Sequence, residues 1–350
     1  MAEVLYGRLK NEWLVAAREF CLTNWESEHP LIHNAEMFDY YYRDEGDINI
    51  VIAYTDDEKS HLELSFINEA EIVRTSPKIL GICGYIKTNS SNHPDVFISY
   101  ILTKKGLHFG MAFRLIEKIR RLTNARTLSC NNIRKKTRGI YDFLEYSVGD
   151  MAQWYRLNNS IANYSLCNIS CIKVEPIKSS EIVAKEVFSS DQMLSFPFES
   201  FSNNRPFKDN SYVEKRFIRY PWHIYRIFWL SHSGKNALLV IREILWQNSK
   251  MLRIVDFIGD RELIKDSGIF LDRLLKECQA EFIDWYSFGV AAEDMKQAGF
   301  TLRDNSDNII IPMYYSPLIM RNYDVTVFTS DPENYMMFRA DGDQDRPNLG

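Results

Sequence analysis

The 350-residue chain is poor in the residues that mark several protein classes. No run approaches the ~18–20 uninterrupted apolar residues of a membrane-spanning helix, and the start, MAEVLYGRLKNEW, has no apolar core of a signal peptide. The expected location is therefore the cytoplasm. Cysteine is scarce, six in all, and only Cys167 and Cys171 lie close together, with no second pair to complete a zinc set. No His-Glu-x-x-His is present, so no metal is expected, and the thiols read as reduced and structural. There is no Gly-x-Ser-x-Gly elbow for a serine acyltransferase. Nor is there an excess of positive charge: 42 Lys and Arg face 47 Asp and Glu, a formal net charge of -5, which argues against a general nucleic-acid binder. What is present is a globular mix, 45% hydrophobic and 25% charged, with 19 Tyr and 21 Phe. So many aromatics suit a large core or a sugar- or cofactor-binding surface.

The length suggests two domains, and the Asn- and Ser-rich stretch 157–180 offers a boundary. We expect one domain over 1–160, a connecting segment over 161–180 and a second domain over 181–350. The two sides repeat one order of elements. A polar-aromatic helix (35–43; 211–219) precedes a strand (48–54; 224–230), an apolar β-rich run (79–86; 237–245) and a further strand (95–102; 251–258). An amphipathic helix follows (110–124; 267–279), then a strand (125–130; 280–286) and a short helix with an aromatic-bearing turn (140–147; 294–301). In the first amphipathic helix Phe113, Leu115, Ile116, Ile119 and Leu122 fall at helical spacing. The repeat predicts two copies of one mixed α/β (α+β) domain.

The segment ISYILTKKGLHFGMAFRLIEKIRRL, 98–122, runs from a strand through a glycine-containing basic loop into a helix. Glycines let a ligand approach the backbone, and helix N-terminal amides favour an anion. The pattern is neither a Walker loop nor Gly-x-Gly-x-x-Gly. It resembles the pyrophosphate loop of the Gcn5-related N-acetyltransferase (GNAT) superfamily, Gln/Arg-x-x-Gly-x-Gly/Ala between the fourth strand and the third helix. Gly110, Met111 and Ala112 match the Gly-x-Gly/Ala step. The leading position falls on Leu107, a departure, with Lys104, Lys105 and Gly106 just upstream. The family's later signature, a strand, an Asn and then Tyr-x-x-x-Gly-Phe, is matched by Asn131 and Tyr141, with Glu145 and Tyr146 in place of Gly-Phe. In the second half Ala298-Gly299-Phe300 keeps that turn, but Met295 holds the tyrosine position and the loop DRELIKDSGIF carries acids.

The resemblance implies two tandem GNAT-like domains, the second degenerate and shaping the acceptor site. It implies acetyl-CoA or another acyl-CoA as donor, held by Ile101, Leu102, Thr103, Lys105, Gly106, Gly110, Met111, Ala112 and Asn131, with Tyr141 as proton donor to the leaving thiolate. A narrower resemblance rests on Trp25 to His29-Pro30 and on the ending Asp-Gly-Asp-Gln-Asp-Arg-Pro-Asn, 341–348. Both look like sequences encoded with bacterial surface-polysaccharide genes, and they imply a sugar-tailoring acyltransferase whose acceptor is a nucleotide-linked amino sugar.

Acyl transfer to an amine needs a proton acceptor, an oxyanion contact and a proton donor. His29 is a candidate base, with His33, Glu36 and Asp39 as alternatives. Trp25, His33, Asp343 and Arg346 are candidate sugar contacts, since carboxylates bind hydroxyls and Arg can pair with a diphosphate. The tail also reads as an ordinary solvated acidic terminus, and the aromatic run at Phe38, Tyr40, Tyr41 and Tyr42 as at least half core. Two other readings stay open. The donor could be acyl carrier protein or aminoacyl-tRNA, or the chain could be a non-enzymatic sugar-binding protein on a degenerate scaffold. Finally, residues 104–138 hold eleven Lys or Arg and one acid, Glu117, so the negative average conceals one strongly basic stretch around the glycine loop.

Overall fold

The computed structural model describes residues 3–25, 33–44, 46–55, 62–63, 74–75, 77–104, 106, 110–169, 174–304 and 309–347. The chain divides into two compact units, one of Met1–Lys87 and Asn92–Leu128, the other of Thr88–Ser91 and Ser129–Pro347.

In the first unit the strands β1 (Leu5–Arg8), β2 (Ile50–Thr55), β3 (Lys78–Lys87) and β4 (Asp95–Thr103) lie in that order, antiparallel throughout. The sheet then continues into β5 (Thr127–Ile133), which enters the second unit at Ser129. Helices α1 (Leu14–Asn24) and α2 (Ala35–Tyr42) contact β3, and α3 (Gly110–Thr123) contacts β1 to β4. Asn34 caps α2 by accepting a hydrogen bond from the Met37 amide at 2.9 Å. In α3 the buried residues are Met111, Leu115, Ile116, Ile119 and Thr123, one face at 3.6-residue spacing. The helix ends where Asn124 takes a left-handed φ of 51°. The expected apolar face was too wide: Phe113 and Leu122 are exposed, because a stripe centred on Leu115 and Ile119 turns both away from the sheet. Of the aromatic run, Phe38, Tyr41 and Tyr42 are buried.

The second unit contains α4 (Arg138–Phe143), β6 (Ser147–Asp150) and β7 (Ala152–Leu157), followed by β8 (Val183–Val187), β9 (Tyr225–His232), β10 (Lys235–Trp246) and β11 (Ser249–Gly259). Then come α5 (Gly268–Glu277), β12 (Phe282–Phe288), α6 (Ala292–Gln297), β13 (Thr301–Leu302), β14 (Thr326–Thr329) and β15 (Met337–Phe338). Its main sheet runs β8-β9-β10-β11-β12-β7-β13, with β15 on β12. All of these pairs are antiparallel except β11 with β12. The inner faces of β9 to β12 bury Leu239, Ile241, Ile254, Ile283 and Trp285 against Leu271, Leu274 and Leu275 of α5.

Strands are exchanged between the sequence halves. β7 lies before the 157–180 stretch yet pairs with β12, while β14, near the C-terminus, pairs with β5 and β6. Each sequence half lends a strand to the other's sheet, so a partition by repeated order of elements and a partition by contacts fall at different places. The Asn- and Ser-rich stretch is anchored within the second unit around Ser165 to Cys167. Leu166 and Cys167 are buried, and the Glu281 carboxylate accepts hydrogen bonds from the Ser165 and Leu166 amides, each at 2.8 Å.

Candidate functional site

The first unit carries a break in its central ladder. β3 and β4 pair Gly81 with Thr103, Ile82 with Leu102, Cys83 with Ile101 and Gly84 with Tyr100; the next pair is Tyr85 with Ile98. Ser99 is therefore the extra residue of a β-bulge, a device that re-aims a strand and ends regular pairing. Gly84 lies opposite for a steric reason. A Cβ there would lie 2.5 Å from the Tyr100 ring and 2.9 Å from both Ser99 Oγ and the Tyr42 ring. The convergence it permits is specific: Tyr42 Oη and Ser99 Oγ are hydrogen-bonded at 2.8 Å, and the Tyr42 and Tyr100 rings meet edge to face at 5.6 Å. Trp25, just past the end of α1, packs on Tyr100 with centroids 5.2 Å apart. Beside them Leu14, Ala17, Arg18, Cys21, Phe38, Ile82 and Tyr100 line an apolar hollow.

Below the bulge, Ile101, Leu102 and Thr103 are half-buried and lead to the basic loop. Gly106 there has a φ of +82° and is exposed. Gly110 opens α3, with nothing within 4 Å of where a Cβ would stand. Met111 turns inward, so that its sulfur would lie 3.0 Å from a Cβ on Gly81, while Ala112 is half-buried. Gly110 thus leaves the N-terminus of a 14-residue helix open, an arrangement that favours an anion, and Lys104, just past β4, is exposed. The charge excess is smaller than the sequence suggests. Arg126 clasps the buried Asp95, Arg120 and Arg121 pair with Glu117, Lys135 with Asp324 and Arg138 with Asp142. Among the described residues, Lys104, Arg114, Lys118, Arg134 and Lys136 have no ion pair.

His33 is exposed, while His29 and Lys105 lie outside the described residues. Asn131, Tyr141, Asp343 and Arg346 belong to the second unit, so the structure groups only Trp25, Ile101 to Thr103, Gly106 and Gly110 to Ala112 around the bulge and loop. Tyr141 is buried in α4, its ring stacked on Phe328 with centroids 4.1 Å apart. The buried Asn131 donates from Nδ2 to the Phe338 and Asp341 carbonyls at 3.0 and 3.3 Å.

The C-terminal acidic segment is not a solvated tail. Asp341, Asp343 and Asp345 are 0%, 2% and 3% exposed. Asp343 accepts from Arg346 at 2.7 Å and from Gln344 at 3.0 Å. Asp345 accepts from Tyr225 Oη at 2.9 Å and pairs with Arg242 at 3.1 Å. Asp341 and Asp256 both lie 2.6 Å from the buried Lys208 ammonium. Burial pushes the Asp256 carboxyl up to about 7, Lys208 opposing and Asp341 adding to the effect. This Lys–Asp–Asp centre escaped the sequence reading, as did Gly84 and Ser99. The only signal for the bulge was a glycine within an apolar strand.

In the second half the corresponding glycines serve packing. A Cβ on Gly268 would meet the Ala298 carbonyl oxygen at 2.5 Å, and one on Gly259 the Asn236 carbonyl oxygen at 2.4 Å. Met295, at the tyrosine position, is fully buried.

No family model matches the chain, and no curated protein matches it either. Solved structures do. A GCN5-related N-acetyltransferase from Anabaena variabilis is similar at a TM-score of 0.51 and 10% identity, over 93% of this chain and 72% of that one. A probable N-acyltransferase of unknown function from Enterococcus faecalis is similar at a TM-score of 0.50 and 9% identity, with the same coverage. At such identities the likeness concerns the fold, and the chain has the mixed-sheet α/β fold of the GNAT proteins.

Proposed function

We propose that the chain is a cytoplasmic, acyl-CoA-dependent N-acyltransferase that acts on a nucleotide-linked amino sugar in bacterial surface-polysaccharide synthesis. The observation that carries the reading is a set of features in the first unit: the apolar hollow beside the Ser99 bulge, the half-buried Ile101 to Thr103 at the end of β4, and the open Gly110 that starts α3. A bound acyl-CoA supplies a thioester carbonyl open to amine attack. The chain's part is to grip the donor along Ile101 to Thr103, to hold its phosphates at Lys104, Lys105, Gly106 and Gly110 to Ala112, and to keep water from the acyl end with Phe38, Ile82 and Tyr100. Attack forms the C–N bond and releases the thiolate. His29 takes the amine proton, and the Tyr141 phenol, with a pKa near 10 in a free tyrosine, protonates the thiolate. Stacking on Phe328 fixes the Tyr141 ring. Trp25 and His33 are the sugar contacts of the first unit; Asp343 and Arg346, read from the sequence as further contacts, are instead bound to each other, Asp343 in full burial, and the second half serves as a degenerate copy.

The test is release of free CoA thiol from acetyl-CoA in the presence of nucleotide-linked amino sugars. Amine-dependent release is expected, with Tyr141→Phe lowering kcat while the Kd for CoA stays the same. Unchanged turnover would remove Tyr141 from the mechanism. Turnover only with acyl carrier protein or aminoacyl-tRNA as donor would move the chain to that class of transferase.

A further inference from the structure

The second half repeats the first down to its irregularity. β10 and β11 pair Val240 with Asp256 and then Ile241 with Ile254, so Val255 is the extra residue of a bulge on β11, as Ser99 is on β4. β11 also precedes α5, after a single helical turn at Leu263–Asp266, as β4 precedes α3. Its neighbour β12 runs parallel to it only from Leu252–Ile283 to Ile254–Trp285. Beyond that point the two strands do not pair, and the chain's own C-terminal segment takes the place between them. Ser287 and Phe288 of β12 pair with Phe338 and Met337, and the Ala340 amide donates to the Val255 carbonyl at 2.9 Å. The Phe338 ring is 1% exposed and packs 6.0 Å from Trp285 and 6.4 Å from Phe257.

The segment is anchored from several elements at once. Asn131 donates to the carbonyls of Phe338 and Asp341, and Asp341 accepts from the Phe338 amide at 2.7 Å while pairing with Lys208. Arg216 donates to the carbonyls of Ala340 and Gln344, and Arg339 donates to Gln344 Oε1 at 3.2 Å. Buried charges are held only where partners compensate their desolvation, so this segment is built into the cleft rather than laid across it. The α5 entrance is closed as well, since Gly268 packs against the Ala298 backbone.

We infer that residues 337–341 permanently occupy, in the second half, the strand gap that corresponds to the donor side of β4, and that the chain therefore holds one acyl donor, bound at the first unit. The conclusion rests on the acyltransferase reading above. It also assigns a structural task to the Asp341–Arg346 motif: locking that segment in place.

Calorimetric titration of the full chain with acetyl-CoA tests it. One molecule per chain is expected, with Gly110→Glu weakening binding at least tenfold and Ile269→Glu, at the start of α5, leaving it within twofold. Two molecules per chain, or loss of binding in Ile269→Glu rather than Gly110→Glu, would overturn the inference while leaving the acyltransferase reading intact. No binding would overturn both. Hydrogen exchange reads the segment without any ligand. The Phe338 and Ala340 amides should exchange as slowly as those of β11; exchange in seconds at neutral pH would show an open gap and sink the inference.

Discussion

The buried Lys208–Asp256–Asp341 centre and His223 should leave opposite marks on the pH dependence of stability. Asp256 is pushed up to about 7, chiefly by burial, against an ordinary value of 3.8. His223 is pushed down to about 4 from 6.5, first by burial and then by the Arg242 charge. A carboxyl whose folded pKa is raised contributes stability that is complete below about 3.8 and is lost as the pH climbs through 7. A histidine whose folded pKa is depressed contributes stability that is complete above 6.5 and is lost as the pH falls through 4. At 1.36 kcal/mol per unit the Asp256 share is about 4 kcal/mol. The His223 share is about 3 kcal/mol, reduced to ~2 for the third of the ring environment that solvent screens. Between pH 4 and 6.5 the two slopes oppose each other. Urea unfolding at pH 4.5, 5.5, 6.5 and 7.5 should therefore show variant-minus-wild-type differences of opposite sign. Asp256→Asn should gain stability relative to wild type as the pH rises, by roughly 3–4 kcal/mol across the window. His223→Gln should lose it, by ~2 kcal/mol. Difference curves that are flat for both variants would refute the assigned protonation states.

Three further outcomes follow from the packing. Gly84→Ala places a methyl against Tyr100, Ser99 and Tyr42; it should cost ~1–3 kcal/mol in thermal unfolding and weaken donor binding, because the bulge must shift. Arg253→Met strands the Asp284 carboxylate, which now accepts at 2.8 and 2.6 Å in full burial; denaturant unfolding should show a loss of about 3–5 kcal/mol, and the double change with Asp284→Leu should recover much of it. Phe338→Ala should cost about 3–5 kcal/mol and speed exchange of the Ala340 amide.

Elements set by local periodicity were legible in the sequence. The strands around 79–86, 95–102, 237–245 and 251–258 and the helix at 110–124 stand within a few residues of where their apolar spacing puts them. The start of α3 at Gly110 was legible for the same reason. What escaped depends on pairing across long separations. Nothing local shows that β7 joins β12 or that β14 joins β5 and β6. The acidic ending reads as solvated because its partners, Lys208, Arg216, Tyr225 and Arg242, lie more than ninety residues upstream. Arg253 likewise looks misplaced within an apolar strand until the parallel register sets it beside Asp284. The bulge at Ser99 left only Gly84 as its trace, since a bulge is a property of two strands and not of one.

Acetyl-CoA binding tests the central claim most directly. A ligand that binds the native state stabilises it by RT ln(1 + [L]/Kd), about 2.7 kcal/mol at a hundredfold excess over Kd. The account predicts that millimolar acetyl-CoA or CoA raises the Tm by several degrees, and that Gly110→Glu abolishes the rise without lowering the unliganded Tm. An unchanged Tm at millimolar acetyl-CoA, in a protein that unfolds cooperatively, would contradict it.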